Sequence, residues 1–71
     1  MPYFQAIELF NNPEASLENL LIAIEDLGVE YGYIVAMASQ GLREDSEIDL
    51  VRILVLIKAL KLKITQNYDK H

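Results

Sequence analysis

The sequence has no cysteine, and its single histidine, His71, is the last residue. Without thiols there is neither a disulfide framework nor a thiolate metal site to stabilise a chain of 71 residues, which lies near the lower size limit for an autonomous core. A histidine at the terminus is not held within reach of a nucleophile, and the serines are only Ser16, Ser39 and Ser46. A nucleophile–histidine triad is therefore excluded. Glycine is scarce as well: Gly28, Gly32 and Gly41 match neither the phosphate-binding loop nor the dinucleotide fingerprint.

Basic residues are rare over most of the chain. Residues 1–50 hold ten acids against Arg43 alone, whereas residues 51–71 hold five bases against Asp69. A net charge of −5 disfavours binding to a phosphate backbone. A helix-turn-helix over Leu20–Gln40 fails for the same reason, because its recognition helix, Tyr33–Gln40, offers no Arg or Lys. No run of about 20 apolar residues is present to span a bilayer. The start, MPYFQAIEL, lacks the basic and continuous apolar regions of a secretory signal, so a cytoplasmic location is the expectation.

Metal chemistry finds no pattern either. Asp45, Glu47 and Asp49 alternate as in a calcium loop, but Leu50 stands where that loop needs glycine and Leu56 where it needs a bidentate glutamate. Glu14, Glu18 and Glu25 lack the Glu-x-x-His companion of a di-iron bundle. No residue is nominated as catalytic, cofactor-binding or metal-ligating, and the chain reads as a non-enzyme without a cofactor.

What the sequence has in quantity is aliphatic side chains. Apolar residues make up 52% of it, a large share for so small a surface-to-volume ratio to hide. The densest stretch is Ile48–Ile64. At helical spacing its apolar residues form two stripes, one wide (Leu50, Ile53, Leu54, Leu56, Ile57, Leu60, Ile64) and one narrow (Ile48, Val51, Val55, Leu62). A helix with two apolar flanks is expected to be enclosed on both. Its cations lie between the stripes, unlike the single broad basic face of a membrane-surface helix.

The rest of the chain predicts further helices. Pro2–Phe10 reads as a short first helix with Tyr3, Phe4, Ile7 and Phe10 at helical spacing. Pro13–Leu27 reads as an amphipathic helix capped by Asn12 and closed at Gly28, with Leu17, Leu20, Leu21, Ile24 and Leu27 on its face. Val29–Gln40 has the tyrosines and β-branched residues of a strand, but a lone strand has no partner here. A buried helix is expected, with Gly32, Ala36 and Ala38 admitting a close neighbour and Gln40-Gly41-Leu42 ending it. Leu42–Asp45 is the linker, Ser46 the next cap, and Gln66–His71 a frayed end.

The expected fold is all-α: a bundle of three or four helices over residues 1–66 with a frayed tail at 67–71, the C-terminal helix central and the chain dimeric. The expected function is that of a protein–protein interaction module, regulatory, adaptor or assembling, acting as a homo-oligomer and on another protein, without nucleic acid or membrane. Ile48, Val51, Val55, Leu62 and Lys58 are the candidate interface, in an antiparallel pair that sets the acidic start of the helix beside its basic end. Tyr31, Tyr33, Glu18 and Glu25 are candidates for contact with a partner. The alternative is an acidic, antitoxin-like inhibitor that fills the basic groove of a nucleic-acid-binding protein with the carboxylates of residues 14–30 and 44–49.

Overall fold

The computed structural model describes residues 2–42 and 46–68, and all its regular structure is helical: α1 (Pro2–Phe10), α2 (Leu17–Ser39) and α3 (Ser46–Tyr68). α1 has the expected limits. Arg43, Glu44 and Asp45 of the linker and Asp69–His71 of the tail lie outside the described residues.

α2 differs from the expectation at both its start and its middle. Asn12 does cap a turn, its Oδ1 accepting from the Glu14 N–H at 2.9 Å, but the turn closes on itself when the Ala15 N–H donates to the Asn12 carbonyl. That single turn delivers Ala15 into the core. The helix starts one step later, where extended Ser16 accepts the Asn19 N–H on its hydroxyl at 3.1 Å. Nor does Gly28 stop it. Leu20, Ala23, Leu27 and Ile34 are buried along one face that passes straight across the glycine, joined by the partly buried Ile24 and Tyr31. A helical glycine costs about 1 kcal/mol relative to alanine, less than the ~1.5–3 kcal/mol from burying one large aliphatic side chain. Burial of Ile34, with Tyr31 partly covered beside it, therefore decides the outcome and overrides the local strand propensity; the stretch is not the buried helix expected, since Val29, Tyr33 and Val35 are exposed on its other sides.

The real terminus comes at Gly41, whose φ of +73° places it in the left-handed region. The Leu42 N–H donates to the Met37 carbonyl at 3.0 Å and the Gly41 N–H to the Ala38 carbonyl at 3.1 Å, the paired bonds of a Schellman ending. Gly28 and Gly41 thus share a sequence context but not a role.

α2 and α3 form an antiparallel hairpin. α3 turns Ile53, Leu56 and Leu60 fully inward, with Leu50, Ile57 and Ile64 partly buried against the same core. Ser46 is its first helical residue rather than the residue before it, and the helix continues to Tyr68, past Thr65 where the apolar spacing ends. α1 fills one of the two grooves along this hairpin. It shares a hollow with α2, lined by Ala6 and Leu9 of α1 and Ala23 and Asp26 of α2, and another with α3, lined by Tyr3 and Phe4 of α1 and Asp49 and Ile53 of α3. The wholly buried Ala6 and nearly buried Ala23 leave no bulk between α1 and α2, which lets the backbones approach. At the far end Lys63 anchors the arrangement. Its Nζ donates to the carbonyls of Phe10, at 2.6 Å, and Asn12, at 2.8 Å, and sits 5.8 Å from the centre of the Phe10 ring. Phe10 closes α1, so a cation from α3 meets the free carbonyls and negative dipole end of that helix.

Two outcomes follow for stability at fixed protein concentration in chemical denaturation. Gly32 has no atom within 4 Å of where a Cβ would sit, so Gly32→Ala stabilises by about 0.5–1 kcal/mol, whereas Gly41→Ala, at positive φ, destabilises by about 1 kcal/mol or more. Lys63→Met, which keeps the aliphatic stem but removes both hydrogen bonds, lowers stability by about 1 kcal/mol and loosens α1 first, seen as faster amide exchange over residues 2–10.

Candidate functional site

Large apolar side chains are more often exposed than buried. Nine residues form the core, and three of them are alanines, so six large side chains are enclosed while fourteen stand exposed among the described residues. The chain presents 5237 Å² of accessible surface, against about 4,500 Å² for a compact monomer of its mass. Its principal extents of 47 × 19 × 15 Å explain why. The molecule is a long, thin slab, and a hairpin with one short helix against it leaves two faces uncovered.

The first open face is the outer side of α3. Ile48, Val51, Val55 and Leu62 are all more than half exposed, Val55 at 62%. Lys58 lies on the same side and is exposed. Together they recur at intervals of three and four (48, 51, 55, 58, 62), the spacing of a helix–helix seam. The narrow stripe is therefore not used by the chain's own core. Leu54 does not follow the wide stripe to which its spacing assigned it: it is 50% exposed, because it sits at the outer edge of that stripe.

The second open face was not anticipated. Leu17, Leu21, Ile24, Gly28, Tyr31 and Val35 succeed one another at intervals of four and three along α2. Leu17, Leu21 and Val35 are exposed, and Ile24 and Tyr31 are only partly covered. In an antiparallel hairpin the matching flank of α3 lies on the same side, and it carries Leu50, Leu54, Ile57, Lys61 and Ile64. This is the groove opposite α1. Its signal is present in the sequence, but an assumed helix end at Gly28 cuts the series of six into two fragments too short to register.

The remaining candidates separate. Tyr31 packs against the core, whereas Tyr33 is exposed on the opposite flank of α2, the side nearer α1. Glu18 and Glu25 are exposed on α2. Gly32 and Ala36 are exposed, and nothing approaches Gly32, so the close neighbour expected there is not supplied within the chain. Polar groups do converge in one hollow, lined by Tyr3, Phe4, Glu30, Asp49 and Arg52 between α1, α2 and α3. It lies at the surface, and every buried residue among those described is apolar. The described residues contain no cluster of three or more acids, histidines or cysteines able to hold a metal ion, and no helix among them is long and apolar enough to cross a membrane. No family model, curated protein or solved structure matches the chain.

Proposed function

We propose that this chain is a small non-enzymatic protein–protein interaction module that works as a homo-oligomer. The observation that carries this reading is the excess of exposed over buried large apolar side chains, on faces whose spacing suits another helix. The outer side of α3 pairs with its counterpart in a second copy, antiparallel about a two-fold axis near Val55. In that register Ile48 meets Leu62, Val51 lies under the aliphatic stem of Lys58, and Glu47 at one end stands near Lys61 at the other. Covering four aliphatic residues, at ~1.5–3 kcal/mol each when fully buried, supplies most of the association energy. The exposed ion pairs add little and select the orientation.

The acidic-inhibitor reading uses different groups, the carboxylates of residues 14–30 and 44–49, and a different force. Salt distinguishes the two: an aliphatic contact changes little between low and high ionic strength, whereas a carboxylate surface in a basic groove weakens steeply.

Sedimentation equilibrium tests the proposal. Wild-type chain is expected to run as a dimer or larger at both low and high salt, and Val55→Glu, at an exposed position that leaves the core intact, to lower the mass with helicity unchanged. A monomeric wild type, or a Val55→Glu mass equal to that of wild type, contradicts the assignment of this stripe.

A further inference from the structure

We propose that the groove opposite α1 is a second self-association face, occupied by the same groove of another copy so that two α2–α3 hairpins stack into a four-helix bundle. The inference rests on the self-association reading above and adds a contact on the other side of α3.

Three observations favour a second copy as the occupant. The first is dimensional. α2 and α3 are each 23 residues long and run side by side, so the open face is a flat rectangle of two matched helices. The surface that best covers such a face is another of equal length, as in bundles built from hairpins. The second is exposure. Leu17, Leu21, Val35 and Leu54 stand exposed on this face, and Ile24, Tyr31, Ile57 and Ile64 are only partly buried, so the apolar surface runs along both helices.

The third is charge. On this side the rim of α2 carries only acids, Glu18 and Glu25, while the rim of α3 carries Lys58 and Lys61, with Glu47 at the remote end. Because the hairpin is antiparallel, the N-terminal half of α2 and the C-terminal half of α3 lie at the same end of the molecule. A two-fold axis parallel to the helices lays α2 of each copy over α3 of the other and keeps those ends together. Glu25 then falls within a helical turn of Lys58 and Lys61 of the second copy. The alternative two-fold, perpendicular to the helices, sets α2 against α2 and brings the acidic rims together; it is disfavoured for that reason.

Gly28 gains a role in this arrangement. It stands at the midpoint of α2 on the groove side, between Leu21 and Val35, where nothing in its own chain lies within 4 Å of a Cβ position. The missing side chain leaves a gap along the seam at the level of Ile57 and Lys61 of the facing helix. An exposed helical glycine that no intrachain contact requires is thus accounted for by a neighbour.

Gly28→Arg tests the assignment directly, since arginine is the better helix former and its Cβ would find no atom of the chain within 4 Å, while the long side chain extends from the groove side of α2. Full-length chain carrying Gly28→Arg or Leu21→Lys is expected to keep its helical circular dichroism and to sediment at half the wild-type mass or less. Val55→Glu serves as the control on the opposite face. If the wild type is oligomeric and both groove variants keep its mass while Val55→Glu lowers it, the groove assignment is overturned and the outer stripe stands. A wild type that is monomeric throughout overturns both.

Discussion

The contact between α2 and α3 sets the limits of the whole molecule. Leu20, Leu27 and Ile34 on one helix and Ile53, Leu56 and Leu60 on the other are the large buried side chains among the described residues. Two helices in contact bury one stripe each and leave the flanks of both open. The nine residues of α1 cover one pair of flanks, with Ala6 and Ala23 allowing close approach and Lys63 fixing its C-terminal end. Among the described residues no further element covers the other pair. The exposed apolar surface is thus a direct consequence of how the three helices are arranged.

That surface is structured rather than scattered. Single exposed leucines are ordinary on any protein. Here the exposed residues fall into two series with the three–four alternation of helix packing, one along the back of α3 and one along the groove flank of α2. Lys58, in the outer series, and Lys61, on the groove flank, border the strip of α3 between the two faces, where their stems can extend over either contact while the ammonium groups stay in water. Glu18 and Glu25 occupy the opposite rim, on α2. In the proposed association aliphatic contact would provide the driving force and charge the orientation.

Much of this architecture was legible in the sequence, and the exceptions share a cause. The limits of α1, the ending at Gly41 and the outward direction of Ile48, Val51, Val55 and Leu62 follow from periodicity and cap chemistry, and the helical state of residues 29–39 from that ending and from the lack of a partner for a lone strand. Gly28 was misread because glycine before a valine resembles a left-handed terminus, and sequence alone does not reveal that Leu27 and Ile34 are buried on the same face on either side of it. Asn12 was misread because an Asn-Pro pair suits both a helix start and an isolated turn, and the burial of Ala15 selects the turn. Both errors weigh a local signal without the tertiary burial that outweighs it. They also concealed the groove, since its α2 wall is continuous only if the helix is. Leu54 lies at the border of two stripes, where spacing alone does not assign a side.

Under the proposed self-association, the folded chain gains stability when other copies cover what one copy leaves open. Mass action then links folding to concentration. Thermal unfolding followed over a hundredfold range of protein concentration measures that link without any variant. The account predicts a midpoint that climbs steadily as concentration increases, and a midpoint that stays fixed across the range would contradict it.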